Sequence, residues 1–369
     1  MRTLDYYIGL ISGTSIDGVD CALVKFNDEQ PTVIATHCSP IPSELRTAIL
    51  RLCSGSGFDI QLLGKVDVEI GRLFASSANT LLMQSGIEYS AIKAIGSHGQ
   101  TVFHSPGSET PFTMQIGDPN CIAQLTGITT VADFRRRDLV VGGEGAPLAP
   151  LLHRNCFGSK SVTRVIVNIG GISNITVVQT DGSCIAFDTG PGNVLMDYWI
   201  EKQQNQTYDK GGEWAASGRV STELLQLLMR ESYFELPYPK STGRELFNNK
   251  WLEKQLVQLA TTIPAEDVQA TLLELTARSI HREIMKVSAP QEIFICGGGA
   301  HNDALMRRLR LLFGNIAVAD TSELGVHPDW VEAVAFAWMA KQTLEGTRID
   351  TTALTGATKP VILGGIYRV

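Results

Sequence analysis

The stretch YYIGLISGTSIDGVDCALVKF, Tyr6 to Phe26, decides the fold class of this 369-residue chain. Two apolar, strand-like segments flank a turn that contains Gly, Ser, Thr and Asp. Most glycine-rich turns that bind phosphate lead into a helix, whose N-terminal amides face the anion. This turn leads into a second strand instead. It therefore predicts a β-hairpin that offers backbone amides and hydroxyls to a phosphate without a helix dipole.

A second stretch, RVIVNIGGISNITVVQ from Arg164 to Gln179, repeats the order strand, small-residue turn, strand. A duplicated lobe is the simplest explanation, and coincidence is the alternative because hairpins with glycine turns are common. The chain length also favours two domains. We predict an α/β protein with a first lobe over residues 1–160 and a second over 161–369, whose C-terminal helix is free to pack back on the first.

Composition narrows the possible partners. The net charge is −7, and the dense basic run FRRRD, Phe134 to Asp138, ends in an acid. This argues against nucleic acid as a partner. The N-terminus lacks the pattern of a signal peptide, and no segment approaches the roughly 20 apolar residues of a membrane span. We expect a cytoplasmic protein without a membrane partner. The seven cysteines form no C-x-x-C pair, which argues against a zinc site or a disulfide framework.

The familiar nucleotide motifs are missing from the sequence. The segment LLGKVD lacks the upstream Gly and the following Ser or Thr of a phosphate-binding P-loop, and no G-x-G-x-x-G follows the first strand. What remains is the two hairpins, an acidic turn FDTGPGN and a glycine triplet, Gly297 to Gly299. Three glycines between a strand and a helix would let a ligand lie against the backbone, although a plain tight turn is the alternative.

Six motifs together resemble one known family, the anhydro-N-acetylmuramic acid kinases of the actin, hexokinase and heat-shock-chaperone superfamily. They occur in the same order across nearly the whole chain and read GLISGTSIDGVD, GSHGQTVFHSP, ADFRRRDLVVGGEGAPL, NIGGISNIT, FDTGPGNVLMD and GGGAHN. The resemblance implies a two-lobed, actin-like ATPase (ribonuclease H-like) fold with an interlobe cleft, in which two hairpins clasp the phosphates. Residues 207–264 carry little that matches.

The resemblance also implies an activity. Such a kinase uses ATP, Mg²⁺ and water to open the 1,6-anhydro bridge of anhydro-N-acetylmuramate and to phosphorylate the freed 6-oxygen, a step of peptidoglycan recycling. Its substrate is a small amino sugar, and the family leads us to expect a homodimer. The alternatives are an actin- or chaperone-like nucleotide switch and an exopolyphosphatase-like phosphohydrolase.

The resemblance assigns the two hairpin turns to the ATP phosphates and the glycine triplet to adenosine. These residues are Gly13, Thr14, Ser15, Ile16, Asp17, Gly18, Val19, Asp20, Gly170, Gly171, Gly297, Gly298 and Gly299. Asp17 and Asp20 are expected to hold hydrated Mg²⁺. An ordinary turn aspartate beside Gly18 is the alternative for Asp17.

Asp188 is the predicted catalytic base. It ends the apolar strand CIAFD and precedes a glycine turn that leaves room for a sugar. Its alternative is a turn-capping role with Thr189.

Four further residues are expected at the substrate. Glu332 is the only charged residue between Asp329 and Lys341 on an apolar helix, and it either binds sugar hydroxyls or faces the surface. Arg137 is chosen from FRRRD to face the substrate or the transferring phosphoryl group, while Arg135 and Arg136 are equally consistent with a solvated surface. His98 and Gln100 of the motif GSHGQ complete the set.

Overall fold

The computed structural model describes residues 5–13, 15–27, 29–55, 59–259 and 261–369. The strands are β1 (Tyr6–Ser12), β2 (Gly18–Asn27), β3 (Gln30–Pro40), β4 (Ile92–Ser105), β5 (Phe112–Ile116), β6 (Thr130–Ala132), β7 (Arg164–Ile169), β8 (Ile172–Val178), β9 (Cys184–Pro191), β10 (Glu292–Cys296), β11 (Ala317–Asp320) and β12 (Gly365–Tyr367). The helices are α1 (Ser43–Cys53), α2 (Ile60–Ser85), α3 (Pro119–Thr126), α4 (Arg136–Val140), α5 (Ala149–Leu152), α6 (Val194–Gln204), α7 (Glu213–Ser217), α8 (Thr222–Leu228), α9 (Asn249–Leu256), α10 (Ala265–Val287), α11 (Asp303–Phe313), α12 (Val331–Leu344) and α13 (Thr352–Thr355).

The chain divides into two compact units. The first unit contains the residues up to Cys156 together with Trp330–Val369, and the second unit is Phe157–Asp329. The prediction from the sequence places residues 330–369 in the second lobe and leaves its C-terminal helix free to pack on the first lobe. Each unit has a sheet and an apolar core of its own.

The sheet of the first unit has the order β12-β6-β4-β1-β2-β3, and β5 pairs with the outer end of β4. Strands β1, β2 and β3 are antiparallel neighbours, whereas β4 and β6 continue the sheet in parallel with β1. Ile11 lies opposite Asp20 across the first turn. The opening hairpin predicted from the sequence is therefore confirmed.

The sheet of the second unit repeats this arrangement. Its order is β11-β10-β7-β8-β9, with β7, β8 and β9 antiparallel and with β10 and β11 parallel to β7. The equivalent strands of the first unit, β3-β2-β1-β4-β6, have the same order and directions. The duplicated pattern and the predicted ribonuclease H-like α/β fold class are confirmed.

Local signals set the ends of many of these elements. Helix α2 is capped at its start by Asp59, whose side chain accepts a hydrogen bond from the backbone amide of Gln61, and at its end by Gly86. Gly86 has a φ of 67°, and its amide donates to the carbonyl of Leu82. A side-chain acceptor at the start and a left-handed glycine at the end satisfy backbone groups that a helix leaves unpaired.

Helix α12 packs directly against the centre of the first sheet. A Cβ added to Gly9 would lie 1.7 Å from the carbonyl oxygen of Ala333, and one added to Gly96 would lie 2.0 Å from that of Phe336. No side chain fits in that space, so the glycines of β1 and β4 let the helix backbone approach the strands. This contact explains why Trp330–Val369 belongs to the first unit. Among the described residues, no helix is long and apolar enough to span a bilayer.

Candidate active site

The turn of the first hairpin projects polar groups beyond the sheet. Gly13 is partly buried, whereas Ser15 and Asp17 are exposed. The hydroxyl of Ser15 donates to Oδ1 of Asp17 at 2.7 Å. Thr14, the remaining predicted phosphate residue of this turn, lies outside the described residues. Gly18, Val19 and Asp20 open β2.

The backbone at the tip of this turn adopts a left-handed conformation. Ile16 has a φ of 54°, which is unusual for a β-branched residue and costs energy. Arg46, from α1, stabilises it by donating from Nε to the carbonyl of Ile16 at 3.1 Å and from Nη2 to the carbonyl of Ser15 at 3.4 Å. A turn held in a strained shape by a cation presents its amides in a fixed direction.

The two acids of this hairpin suit a hydrated Mg²⁺. Asp17 is exposed in the turn, and Asp20 is partly buried on β2. The residues that the structure describes contain no group of three or more His, Cys, Asp or Glu arranged to hold a metal ion. Mg²⁺ commonly keeps several waters and uses one or two carboxylates together with substrate phosphates. The donor set therefore fits such an ion, and the role of Asp17 and Asp20 as its ligands stays a prediction.

His98 and Gln100 are both buried near the middle of β4. Gln100 accepts a hydrogen bond from the hydroxyl of Ser12 at 2.6 Å. Nδ1 of His98 lies 3.0 Å from the carbonyl of Gly99, and Arg135 donates from Nε to Nε2 of His98 at 2.9 Å. These partners require a proton on Nδ1 and a lone pair on Nε2. Burial, reinforced by the Arg135 charge, lowers the pKa of His98, so the ring is held neutral.

The three consecutive arginines have different surroundings. Arg135 donates from Nη1 to the carbonyl of Gly145 at 2.8 Å, and burial lowers its pKa to about 10. Arg136 forms an ion pair with Asp133 at 2.7 Å. Arg137 is exposed and donates to the carbonyl of Ile362 at 3.3 Å. Arg135 therefore contacts the predicted substrate residue His98, and the substrate role of Arg137 stays a prediction.

Glu332 occupies the first turn of α12, a helix that is otherwise largely buried. Its side chain reaches solvent. Protein surrounds the carboxyl closely enough for desolvation to raise its pKa; Asp20 acts in the same direction, and Arg135 opposes both. The surface-facing alternative thus describes the accessibility of Glu332 correctly. Its electrostatic neighbours are Asp20, a predicted Mg²⁺ ligand, and Arg135, which was not among the predicted site residues.

The tip of the second hairpin is attached to the start of α6. The carbonyl of Gly170 accepts from the amide of Asn193 at 2.8 Å, and the carbonyl of Gly171 accepts from the amides of Gly192 and Val194 at 2.9 and 3.1 Å. The acidic turn after β9 and the glycine hairpin therefore form one hydrogen-bonded structure within the second unit.

Two of the three late glycines are required by packing. A Cβ on Gly297, where φ is 76°, would lie 2.4 Å from Oδ1 of Asn168, and one on Gly299 would lie 2.3 Å from Cγ2 of Ile169. At Gly298 the nearest atom would be 3.7 Å away, which is an ordinary contact. The tight turn explains Gly297 and Gly299. Gly298 has no such structural demand, and the adenosine role of the triplet stays a prediction.

Asp188 lies within β9, which continues to Pro191, and its carboxyl is held by a distant segment. Oδ2 accepts from the hydroxyl of Ser241 and from the amide of Thr242, both at 3.0 Å. The backbone amide of Asp188 donates to the backbone carbonyl of Lys240 at 3.2 Å, and the hydroxyl of Tyr233 donates to the Asp188 carbonyl at 2.7 Å. The residue is therefore fixed in both backbone and side chain.

The electrostatics of Asp188 suit a general base. Burial raises the pKa of its carboxyl, Glu245 adds to that effect, and the hydrogen bonds from Thr242 and Ser241 oppose it. Among the described residues no hydrogen bond falls on Oδ1, so that oxygen can accept a proton. The capping alternative with Thr189 finds no support in the contacts, because the Thr189 hydroxyl bonds to Ser173 at 2.5 Å.

A buried ion pair anchors the segment that holds Asp188. Nζ of Lys240 lies 2.9 Å from Oε2 of Glu283, and both side chains are almost fully buried. Nζ also donates to the carbonyl of Tyr233 at 3.3 Å. Sequence reasoning missed this support because it lies in the unmatched region 207–264. The available signal was KSTGRE, Lys240 to Glu245, a polar run around a glycine.

A separate cavity of about 880 Å³ lies in the second unit. Residues from α7, α8, α10 and α11 line it, with Glu274 joined to Arg278 and Arg308 on one wall. None of the predicted site residues is among the residues that line this cavity.

The repeated sheet, each copy led by a hairpin, defines a ribonuclease H-like α/β protein of the class that includes the actin-like ATPases and sugar kinases. The family profile for anhydro-N-acetylmuramic acid kinase matches residues 5–369. The chain belongs to that family, as the six sequence motifs indicated.

Proteins named anhydro-N-acetylmuramic acid kinase are similar to the chain over almost its entire length. The one from Shewanella sp. (strain ANA-3) is 52% identical over 363 residues, which cover 98% of each chain. The one from Shewanella oneidensis is 50% identical over 363 residues, with the same coverage. This similarity confirms the predicted class of enzyme, a kinase and hence a transferase.

Solved structures resemble the chain more remotely. The activator of the 2-hydroxyisocaproyl-CoA dehydratase from Clostridium difficile, with bound ADPNP, gives a TM-score of 0.49 at 11% identity and covers 94% of this chain and 99% of its own. The ROK hexokinase from Thermus thermophilus gives 0.41 at 13% identity, covering 91% and 99%. The fold assignment rests on the order and directions of the strands.

Proposed function

We propose that the protein opens the 1,6-anhydro bridge of anhydro-N-acetylmuramic acid with water and transfers the γ-phosphoryl group of ATP to the freed 6-oxygen. Membership of the kinase family supports this reaction. The observation that carries it is Asp188, a half-buried carboxyl with a raised pKa, one oxygen bonded to Ser241 and Thr242 and the other available.

The substrate explains why a base is needed. Its 6-oxygen is bonded to the anomeric carbon, so there is no hydroxyl for a kinase to deprotonate. Asp188 takes a proton from water while the water oxygen bonds to the anomeric carbon, and the bond from that carbon to the 6-oxygen breaks. The 6-oxygen keeps the electron pair and attacks the γ-phosphorus in line, and ADP leaves. One carboxylate thus serves both bond changes.

ATP is the proposed phosphoryl donor. Gly13 to Asp20 and the tip at Gly170 and Gly171 would receive its phosphates, and Gly297 to Gly299 its adenosine. Asp17 and Asp20 would hold Mg²⁺ through water, and the ion, when bound, would offset charge on the β- and γ-phosphates. The strained turn at Ile16 supports this assignment, because it holds backbone groups in one orientation.

The sugar would be bound by groups of the first unit. We assign Glu332 to a sugar hydroxyl and Arg137 to the carboxylate of the sugar acid or to the transferring phosphoryl group. His98 and Gln100 would line the substrate, with the neutral imidazole of His98 held by Arg135. The proximity of Arg135 and Asp20 to Glu332 supports a polar pocket.

The setting of the enzyme is also part of the proposal. We infer that it works in the cytoplasm, in the recycling of peptidoglycan sugars, and that it is a homodimer. Light scattering on the purified protein would give its mass in solution, and a mass near the 40.1 kDa of one chain would contradict the dimer.

One incubation separates the kinase from the two alternatives. The protein is mixed with ATP and Mg²⁺, with and without the anhydro sugar. We expect ADP only when the sugar is present, together with a sugar 6-phosphate in the mass spectrum. Release of inorganic phosphate without consumption of the sugar would indicate a switch or a phosphohydrolase and would contradict the proposal.

A further inference from the structure

Arg244 lies beside the tip of the second hairpin. A Cβ added to Gly171 would lie 3.7 Å from Nη2 and 3.9 Å from Nε of Arg244. The guanidinium therefore lies beside the hairpin tip that is proposed to receive the ATP phosphates, about one methyl group away from the Gly171 backbone. Arg244 belongs to region 207–264, which no sequence motif had explained.

The side chain of Arg244 extends to the surface beside this hairpin. Arg244 is exposed, and no hydrogen bond or ion pair of its side chain occurs among the described residues. Its charge nevertheless reaches the start of α6, because it opposes the burial that raises the pKa of Asp197 to about 7. Its five donors are therefore available to an anion at the hairpin tip.

The backbone that carries Arg244 is fixed on both sides. Before it, the amide of Thr242 donates to Asp188 at 3.0 Å. After it, the amide of the fully buried Phe247 donates to the carbonyl of Gly243 at 3.0 Å, and Nδ2 of Asn248 donates to the carbonyl of Arg244 at 3.0 Å. One short segment thus orients the candidate base and the arginine together.

We infer that Arg244 is a catalytic residue whose guanidinium binds the transferring phosphoryl group at the Gly171 hairpin. This inference rests on the proposed kinase function. In phosphoryl transfer, negative charge is spread over the three equatorial oxygens of the γ-phosphoryl group. A planar guanidinium, always charged and with its donors arranged as a fork, matches two of those oxygens.

The first experiment compares Arg244→Ala and Arg244→Gln with Arg230→Ala. Arg230 is another exposed arginine of the second unit, and its side chain forms no hydrogen bond or ion pair with the residues that the structure describes. We expect kcat to fall about 10²- to 10³-fold in both Arg244 variants, the usual effect of removing a donor that stabilises transition-state charge. Affinity for ADP should change little. Arg230→Ala should keep the parent kcat.

A second measurement distinguishes catalysis from folding. ADP with aluminium fluoride and the sugar mimics the transferring group, and we expect the parent protein to bind this combination more tightly than ADP alone. The Arg244 variants should lose that gain. Added guanidinium chloride at low concentration should restore part of the activity of Arg244→Ala, an effect that a structural role would not produce.

The outcomes separate the two proposals. If the parent protein makes no sugar phosphate, the proposed function fails. If the parent is active and a folded Arg244 variant retains kcat within about threefold or keeps the aluminium fluoride gain, the inference about Arg244 fails. Should Arg244→Ala not fold, the longer, polar Arg244→Gln decides the question.

Discussion

Asp188 illustrates how one side chain is adapted by its neighbours. A free aspartate is a weak base because it is fully ionised far below neutral pH. Burial raises the pKa of Asp188, and the bonds from Ser241 and Thr242 to Oδ2 limit that rise while fixing the carboxyl in one orientation. The group is therefore more basic than an exposed aspartate, and its carboxyl is held in one orientation.

We expect Asp188→Asn to fold normally and to lose about 10²- to 10⁴-fold in kcat, the usual effect of removing a positioned general base. The amide keeps the shape and can accept the bond from Thr242, but it cannot take the proton of water. Steady-state kinetics and the binding of ADP would test this. An activity within a few-fold of the parent would assign Asp188 a structural role only.

Asp197 should make the stability of the protein depend on pH. Burial raises the pKa of Asp197 to about 7, with Asp209 and Glu201 adding to the shift and Arg244 opposing it. Between about pH 4 and 7 the unfolded chain loses this proton while the folded protein keeps it, so this residue's contribution lowers the free energy of unfolding as pH rises. We expect Asp197→Asn to raise that free energy, relative to the parent, more at pH 8 than at pH 5.

Asp181 provides the control for this measurement. It is an exposed turn residue, and hydrogen bonds from Ser183 lower its pKa, so it titrates below this pH window. Asp181→Asn should change the free energy of unfolding by the same amount at pH 5 and pH 8. Equal effects of Asp197→Asn at the two pH values would contradict the assignment.

The segment that follows the 3-10 turn Ser232–Glu235 acts as the support of β9. Lys240 anchors it through the buried pair with Glu283, and Ser241 and Thr242 reach Asp188 from it. Separating a buried ion pair would leave an uncompensated charge in the protein interior, which is strongly unfavourable. The pair therefore keeps the segment in its position. The position of the candidate base is therefore a property of two elements, a strand and the segment beside it.

We expect Ser241→Ala to shift the acidic limb of the pH profile of kcat/KM to higher pH. The hydroxyl of Ser241 lowers the pKa of Asp188, so its removal lets that pKa rise, and more of the base is protonated at a given acidic pH. kcat at neutral pH should fall only about two- to tenfold, the value of one hydrogen bond.

Ser232→Ala is the matched control for Ser241→Ala. The hydroxyl of Ser232, in the same region, donates to Glu231 rather than to Asp188. Removal of the Ser232 hydroxyl should leave the pH profile of kcat/KM unchanged. A profile of Ser241→Ala that coincides with the profile of this control would show that the hydrogen bond does not tune the base.

The complete chain contains one strand pattern twice. Both sheets start with a hairpin whose turn contains glycine, and both continue with two parallel strands. Our proposal gives the two copies different roles. The first carries Asp17 and Asp20, the proposed Mg²⁺ ligands, and the second carries Asp188, the proposed base. Following the fate of the water oxygen tests whether both copies take part in one reaction.

Oxygen-18 water should label the anomeric hydroxyl of the sugar 6-phosphate and leave the transferred phosphoryl group unlabelled. This follows because water attacks the anomeric carbon and the original bridging oxygen receives the phosphoryl group. Mass spectrometry of early samples, before exchange through the open-chain aldehyde, would locate the label. Label in inorganic phosphate with an unchanged sugar would mean that water attacks ATP.

Much of the fold could be predicted from residues close together in the sequence. The hairpins follow from alternating apolar residues on either side of a short turn, and the match of Ile11 with Asp20 needs only local chain reversal. The position of the glycine triplet between a strand and a helix was also recognisable, because its motif is contiguous. The expectation that Asp188 ends its strand is wrong, since β9 continues to Pro191.

Only the tertiary structure decided what those residues contact. Ser241 supports Asp188 from 53 positions away, and Arg135, rather than Arg137, bonds to His98 from 37 positions away. The contact of α12 with Gly96 likewise joins distant parts of the chain. Local sequence determines backbone conformation and hydrophobic pattern, whereas burial and the pKa shifts that it causes depend on which distant segments pack together.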